Sequence, residues 1–318
     1  MPRCLDPLQL SRYRFELEFS SRVELPPYKG FALRGAFGTS LKRLACTVEG
    51  EECRLCPFGQ SCTYAAIFET LPPPVAGDAG KYSSYPRPFV IRPPLTRQNN
   101  YDKGDYLSFE MILVGTSRAL LPHVVAAFSA LGEVGFRDGQ GRFTVAEVAV
   151  ITGTGREETV YRGETFHSID DHFTYADLRG VEAEVRELSL SFITPARLDL
   201  AGKLRDAPPT FKELIELILR RASLLMAFQT EIPSADDYRE LLERAERVRL
   251  VDADVTWHDL ERYSNRQKTK MYQGGIVGAA TYRGDLGEFL PLLRLGSLVH
   301  VGKSTVFGLG RYLFAPGS

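Results

Sequence analysis

The chain has 318 residues, of which 44% are hydrophobic and 25% are charged, and its formal net charge at pH 7 is −1. The length favours two domains of ordinary size, and the composition is typical of a soluble globular protein. The most apolar window, residues 119–131, is too short for a membrane helix and contains Pro122. Charged residues follow directly on Met1, with no apolar signal core, which predicts a cytoplasmic protein with no membrane partner.

The small net charge excludes a uniformly basic nucleic-acid binder, but the basic residues are segregated along the chain. Residues 26–48, 81–101 and 262–283 contain lysine and arginine and no acidic residue, while acids are concentrated in 170–187 and 231–261. This distribution favours one basic face and one acidic face. A scattered solvated surface is the alternative for any single run.

Apolar periodicity predicts four strands and two helices in the first half of the chain. Tyr13–Phe19 alternates as a half-buried strand does, and Leu33, Phe37 and Leu41 share one face of a helix. The predicted order is strand 13–19, helix 30–46, strands 89–91 and 106–114, helix 118–131 and strand 142–152. A β-α-β-β-α-β order is the ferredoxin-like arrangement.

The second half predicts a similar order. It gives strand 185–193, helices 211–225 and 235–247, strands 248–263 and 271–282, helix 286–295 and strand 311–315. Gly139-Gln-Gly141-Arg-Phe in the first half matches Gly308-Leu-Gly310-Arg-Tyr in the second, each just before the last predicted strand. We therefore predict an α+β fold of tandem ferredoxin-like (RRM-like) domains, at 1–160 and 178–318.

Four of the five cysteines fall within seventeen residues, 46–62, as Cys46, Cys53, Cys56 and Cys62. Such a thiolate cluster in a cytoplasmic chain is more often a metal site than a set of disulfides. Structural zinc is the first interpretation, an iron–sulfur cluster the second and unliganded thiols the third. Four cysteine ligands leave no open coordination position, so the metal would be structural rather than catalytic.

The C-terminal stretch 296–312 is rich in glycine and also contains Lys303, Ser304 and Arg311. Glycines of this density describe a loop whose backbone can approach a phosphate closely. A Walker A loop is excluded, because that motif needs a glycine five residues before Gly302 and position 297 is serine. The stretch therefore predicts a polyanion-binding loop.

The sequence His-Val-Gly-Lys-Ser-Thr-Val-Phe-Gly-Leu-Gly-Arg-Tyr at 300–312 resembles the C-terminal signature of the RAMP superfamily of CRISPR-associated proteins. Within it, the stretch looks like the end of endoribonucleases that cut precursor CRISPR RNA within its repeats. Residues 262–271, 274–278, 33–38 and 64–69 are similar to the same family, whereas the middle of the chain matches only by element order.

The resemblance implies a repeat-RNA substrate and cleavage by attack of a 2′-hydroxyl, which leaves a 2′,3′-cyclic phosphate and a 5′-hydroxyl without a catalytic metal. That chemistry needs a base, an acid and cations near the phosphorane. A histidine near the first helix often serves in this family, but no histidine precedes His123 here. The candidates for proton transfer are therefore His300, Tyr28 and Lys42.

The candidate RNA contacts are the basic residues of the acid-free segments and the polar and glycine residues of the loop. They are Lys29, Arg34, Arg262, Arg266, Lys268, Gly302, Lys303, Ser304, Gly308 and Gly310. Phe307 is predicted to belong to the core rather than to stack on a base.

The missing N-terminal histidine keeps a second function open. The chain would then be a RAMP subunit that binds guide RNA in a CRISPR effector complex, beside other effector subunits, without cutting it. A third interpretation, suggested by the cysteines, is a thiol or iron–sulfur redox protein.

Overall fold

A computed structural model of the chain describes residues 2–48, 52–71, 85–137, 139–167, 172–180, 184–200, 202–229, 238–264 and 269–317. The chain divides into two compact units. The N-terminal domain comprises Leu8–Phe173 and Leu224–Ile232, and the C-terminal domain comprises Met1–Pro7, Thr174–Ser223 and Pro233–Ser318. Each domain therefore also includes a segment that is remote in sequence.

The N-terminal domain is built on one antiparallel sheet. Its main elements are β1 (Gln9–Phe19), α1 (Gly30–Ala45), β2 (Phe89–Arg92), β3 (Tyr106–Val114), α2 (Leu121–Val134), β4 (Phe143–Ile151) and β5 (Glu157–Arg162). The strands lie in the order β2–β3–β1–β4–β5, with the two-residue strand Thr165–Phe166 beyond β5. The first four strands have the ferredoxin-like order.

Burial on β1 alternates, so that every second side chain faces the two helices. On that face Phe15 lies 5.1 Å from Phe109 between ring centroids and 5.4 Å from Phe128. Phe128 of α2 stacks in turn on Phe37 of α1 at 5.1 Å. The core of the domain therefore lies between the sheet and both helices.

The C-terminal domain repeats the arrangement. Its main elements are β6 (Glu187–Ala196), α3 (Phe211–Gln229, of which the part from Leu224 onward falls in the N-terminal domain), α4 (Arg239–Glu246), β7 (Arg249–Ser264), β8 (Thr269–Arg283), α5 (Leu290–Val299) and β9 (Tyr312–Pro316). The strand order is β7–β8–β6–β9. Counting strands within each domain, both sheets run second, third, first, fourth, which confirms the predicted tandem ferredoxin-like fold.

Aromatic side chains tie the elements of the C-terminal domain together. Phe211 of α3 lies 5.3 Å from Tyr282 of β8 and 5.0 Å from Phe289, which precedes α5. The Tyr312 hydroxyl donates to the Leu293 carbonyl at 2.6 Å, which fastens β9 to α5. These contacts fix both ends of the glycine-rich stretch.

Two predicted helices have different bounds in the structure, and one strand was not predicted. The helix predicted at 118–131 begins at Leu121, because 115–120 forms a tighter turn. The helix predicted at 286–295 runs instead from Leu290 to Val299. The unpredicted strand is β5, in which only Val160 and Tyr161 are buried. No helix in the described part of the chain is long and apolar enough to cross a membrane.

Candidate functional site

The glycine loop, defined here as residues 300–310, joins α5 to β9 in the C-terminal domain. The backbone φ angle is positive at His300 (62°), Gly302 (80°), Ser304 (64°), Gly308 (87°) and Gly310 (72°). Non-glycine residues rarely adopt this left-handed region. The surrounding structure must therefore hold His300 and Ser304 in place, and such strain is common at functional sites.

The loop requires glycine for its own packing. A Cβ atom at Gly310 would lie 1.9 Å from the Val301 carbonyl oxygen, and one at Gly302 would lie 2.4 Å from the Arg197 carbonyl oxygen. The Val301 amide donates to the Gly310 carbonyl at 3.1 Å, which closes the loop on itself. These glycines are needed even before any RNA backbone approaches the loop.

Lys303 is bound to the end of β6 and to the short hairpin that follows it. Its amide donates to the Arg197 carbonyl at 2.9 Å, and its ammonium forms an ion pair with the Asp199 carboxylate. Hydrogen bonding by Lys303 lowers the pKa of Asp199. The side chain of Lys303 is 57% exposed and that of Asp199 only 13%. The loop thus presents an accessible ammonium that holds an anion.

Two arginines contact the loop or the strand beside it. The Arg262 guanidinium lies 4.6 Å from the Phe307 ring centroid. Burial lowers the pKa of Arg262. The Arg197 guanidinium donates to the Gly274 carbonyl at 2.6 Å. Phe307 is 7% exposed, which confirms the prediction that it belongs to the core. Together with Lys303, these arginines give the loop a cationic border.

His300 is fully buried and follows the last residue of α5. Its Nδ1 atom lies 3.1 Å from the Leu309 carbonyl oxygen. The Arg221 side chain donates to the Val299 carbonyl at 2.8 Å just before it. In this conformation the imidazole packs inside the loop.

Lys29, which was predicted to contact RNA, is fully buried in this structure. Its ammonium lies within 3.2 Å of the Pro27 carbonyl, the Thr96 carbonyl and the Asn99 side-chain oxygen. Burial lowers its pKa. Lys29 therefore fastens the start of α1 to the segment that follows β2.

Tyr28 and Lys42 lie at opposite ends of α1. Tyr28 is half-buried and packs edge-to-face on Phe31 at 5.1 Å, whereas Lys42 is exposed and lies 5.6 Å from the Tyr64 ring centroid. A rise of about 1.5 Å per residue separates the two by roughly 20 Å along the helix. They cannot serve the same phosphate. The Arg34 guanidinium lies over the ring of Phe68 at 4.8 Å.

Two residues beside the glycine loop were missed by the sequence analysis. Arg197 and Asp199 follow the predicted strand 185–193. A pair of charged residues after a strand was the only sequence feature that pointed to them, and it is too common to predict a site. Arg266 and Lys268 lie outside the described residues, so their predicted RNA contacts have no structural description here.

The cysteine segment lies between α1 and β2 in the N-terminal domain. Its four cysteines line one cavity of about 430 Å³: Cys46, Cys53, Cys56 and Cys62. In the part of the chain that the structure describes, no three histidine, cysteine or acidic side chains are close enough to hold a metal ion as they stand. The zinc prediction therefore stays a proposal.

Two family models match the chain, one in each domain. Residues 8–174 match the N-terminal domain called AF_1859_N, and residues 190–312 match CRISPR-associated endoribonuclease Cas6. An uncharacterized protein of Archaeoglobus fulgidus is 26% identical over 310 residues, which cover 95% of this chain and 96% of the relative.

Solved Cas6 structures have the same fold. Thermus thermophilus Cas6 superposes with a TM-score of 0.55 at 14% identity, over 97% of this chain and 99% of that one. A Cas6 product complex gives 0.52 at 20% identity, over 96% and 99%. A chain of a partial Cas6-RT-Cas1–Cas2 complex gives 0.59 at 15% identity over 98% of this chain. Our chain spans about half, 47%, of that longer chain.

Two ferredoxin-like domains, the second ending in a cation-bordered glycine loop, form the fold that this chain shares with the solved Cas6 structures. Residues 190–312 belong to the family of CRISPR-associated endoribonuclease Cas6, and the N-terminal half carries the AF_1859_N domain.

Proposed function

We propose that this chain cuts precursor CRISPR RNA within its repeats, by attack of a 2′-hydroxyl on the neighbouring phosphate. The attacking oxygen forms a new bond to phosphorus while the bond to the 5′ oxygen of the next nucleotide breaks. The products are a 2′,3′-cyclic phosphate and a 5′-hydroxyl. No redox change or co-reactant is needed, and side chains supply the proton transfers without a catalytic metal.

The observation that carries this proposal is the glycine loop with Lys303. Its ammonium already pairs with a carboxylate, so a phosphate of the RNA can take the same position. The backbone is held in left-handed turns at Gly302 and Ser304 on either side of Lys303. The backbone around Lys303 is thus fixed, and its ammonium can exchange the Asp199 carboxylate for a phosphate of the RNA. Arg262 extends the cationic border along β7.

Access distinguishes the three candidates for proton transfer. His300 is buried and orders the loop, whereas Tyr28 and Lys42 reach the surface. We favour Tyr28, because it lies two residues before the start of α1, a helix that has no acidic residue in its first turn and no side-chain cap. The free amide groups and dipole of a helix start favour a phosphate there. The Tyr28 phenol would exchange a proton with the reacting oxygens.

The binding partners follow from the same family. The repeat RNA is the proposed substrate, and other CRISPR effector subunits are proposed partners after cleavage. One relative in the solved structures is part of a Cas6-RT-Cas1–Cas2 complex, which supports association with other CRISPR-associated proteins.

A second function remains a candidate because of two observations. No histidine precedes His123 in the sequence, and His300 is buried in the glycine loop. A protein without a working acid and base would bind guide RNA as a non-catalytic RAMP subunit. Both functions need the loop, but only the first needs Tyr28 or Lys42.

Incubation of the full chain with its own repeat RNA in EDTA distinguishes the two. Circular dichroism in the same buffer shows that the protein remains folded. Cleavage at one position in the repeat supports the endoribonuclease. Tight binding of an RNA that stays intact supports the non-catalytic subunit instead.

A further inference from the structure

In the cysteine segment the cysteines are more buried than two large apolar side chains, which is unexpected for a segment without a metal. Leu55 is 74% exposed and Phe58 is 56% exposed, although they are the large apolar residues between Cys53 and Cys62. The four cysteines are each half-buried and line the shared cavity. Burying Leu55 or Phe58 would be worth about 1.5–3 kcal/mol each. The thiols therefore line the cavity with the partly exposed Phe58, while Leu55 is left mostly exposed.

Within the described residues of 46–62, only one residue is buried, and it is Gly59. A Cβ atom there would lie 2.8 Å from the Cys53 carbonyl oxygen and 3.1 Å from that of Cys56. The Gly59 amide donates to the Cys56 carbonyl at 2.9 Å, and the amides of Leu55 and Cys56 bond to the Glu52 carbonyl. The Leu71 side chain is as close to such a Cβ, at 2.8 Å, so the Cys53-x-x-Cys56 turn packs tightly around Gly59.

We propose that Cys46, Cys53, Cys56 and Cys62 bind one structural zinc ion, which draws the four thiols together from the walls of their cavity. Cys53 and Cys56 have the two-residue spacing of zinc knuckles, and four sulfur ligands suit a closed tetrahedral site. Each thiol releases its proton to solvent as it binds, since the thiolate is the ligand. No open position is left for chemistry, so the site is separate from RNA cleavage.

The zinc would tie together parts of the N-terminal domain that surround the cavity. Cys46 follows the last residue of α1, and Cys62 precedes the helical turn Ala65–Glu69. The turn is itself well packed, since Phe68 lies 5.2 Å from Phe37 and 5.3 Å from Phe89. Four zinc–sulfur bonds between α1 and this turn would supply the stability that the segment lacks.

The test is the metal content of the full-length protein, expressed with zinc and iron in the medium and purified without a metal-affinity step. We expect one zinc per chain, and cobalt in its place should give the visible bands of a tetrahedral tetrathiolate. Changing Cys53 and Cys56 together to serine should abolish both signals. Cys4→Ser is the matched control and should retain the metal, because the Cys4 sulfur lies 3.2 Å from the Tyr238 hydroxyl in the C-terminal domain.

A variant outside the ligand set gives an independent result. Gly59→Ala should weaken zinc binding at least tenfold, because its Cβ collides with the knuckle carbonyls. Gly35→Ala is its control, since a Cβ there meets no atom within 4 Å, and it should bind zinc as the wild type does. Equal zinc affinity of all three proteins would overturn the proposed knuckle.

The wild type alone is decisive if the cysteine variant does not fold. Removal of the zinc should lower the melting temperature by at least 5 °C, and added zinc should restore it. A wild-type protein without metal, or with iron and sulfide and a visible colour, overturns the proposal, as does zinc that persists in the double serine variant. An unchanged melting temperature after zinc removal overturns the structural role.

Discussion

Lys303 and Asp199 form an ion pair at the edge of the glycine loop, and the carboxylate is the more buried partner. Asp199 belongs to the short hairpin after β6, so it holds the Lys303 side chain against the end of that strand. The carboxylate occupies the place on the ammonium that an RNA phosphate would take. RNA binding then requires Lys303 to exchange one anion for another.

Asp199→Asn should increase the affinity for repeat RNA about two- to five-fold. The reason is that the competing anion is gone, and a partly exposed ion pair is worth roughly 0.5–1 kcal/mol. Filter binding at several salt concentrations measures the effect. Asp206→Asn is the control, because it makes the same charge change at an exposed position nearby. Equal gains in both variants would mean that net charge alone is responsible.

The ion pair between Lys303 and Asp199 can also be tested by changing the lysine. Lys303→Ala should weaken binding to all RNA sequences and make the salt dependence shallower by about one counterion. Asp199→Asn should then have no further effect in the Lys303→Ala background. Lys203→Ala removes an exposed lysine from the adjacent hairpin and should leave the slope nearly unchanged. An undiminished Asp199→Asn gain without Lys303 would contradict the exchange of anions.

Gly310→Ala should destabilise the C-terminal domain far more than Gly139→Ala destabilises the N-terminal one. Both glycines have positive φ, 72° and 85°, so left-handed strain of about 1–2 kcal/mol is common to both. Only Gly310 adds a collision with the Val301 carbonyl, whereas a Cβ at Gly139 meets open space. Urea unfolding measures both variants. Similar losses would show that conformational strain alone makes Gly310 necessary.

His300→Ala should lower the melting temperature but leave cleavage per folded molecule within about threefold of the wild type. A buried ring that orders the loop contributes packing, whereas an acid or base contributes roughly 10²-fold or more to the rate. Tyr28→Phe should lose that much cleavage with RNA affinity little changed. Single-turnover kinetics on folded protein measure both. A 10²-fold loss in His300→Ala with an unchanged melting temperature would return proton transfer to His300.

Acid should weaken the N-terminal domain through Glu110. Burial alone would raise the pKa of this carboxyl, but the hydrogen bonds and charges of Arg12 and Arg92 hold it below its usual value. Arg12 contacts Glu110 at 2.6 Å, and Arg92 is only 7% exposed. Because the pKa is lowered on folding, the stabilisation is complete above about pH 5 and is lost as pH falls through the lowered pKa.

Glu110→Gln should therefore cost about 1–3 kcal/mol at pH 7 and progressively less below about pH 4. Urea unfolding of the wild type and the variant from pH 3 to pH 7 measures this difference. Glu158→Gln is the control, because its partner Arg156 is 76% exposed, and it should cost under about 1 kcal/mol. A constant Glu110→Gln difference at all these pH values would contradict the ion pairing.

Elements with a strong apolar period could be predicted from the sequence. The strand predicted at 106–114 has the same bounds as β3, because buried and exposed positions alternate along most of it. The end of α5 could not be predicted from the sequence. Glycine often follows the last residue of a helix, so the helix was predicted to end at residue 295, before Gly296. In the structure Gly296 lies inside the helix. Glycine is needed there because a Cβ atom would lie 2.3 Å from the Tyr312 hydroxyl.

The glycine pattern of the candidate site could be predicted, but the accessibility of its side chains could not. Burial of Lys29 depends on Thr96 and Asn99, which are remote in sequence. The partner of Lys303 is likewise set by the tertiary fold, which places Asp199 beside the loop. Local sequence patterns carry no information about such contacts.

The central claim is cleavage by the RNA's own 2′-hydroxyl, and one measurement tests it directly. Repeat RNA is incubated with the folded protein in EDTA, with and without a single 2′-deoxy nucleotide immediately 5′ of the cleavage site, and the product ends are mapped. We predict cleavage of the unmodified RNA to a 2′,3′-cyclic phosphate and a 5′-hydroxyl, and none of the 2′-deoxy RNA although it binds equally well. Cleavage of the 2′-deoxy RNA, or products with a 5′-phosphate, would contradict the proposed mechanism.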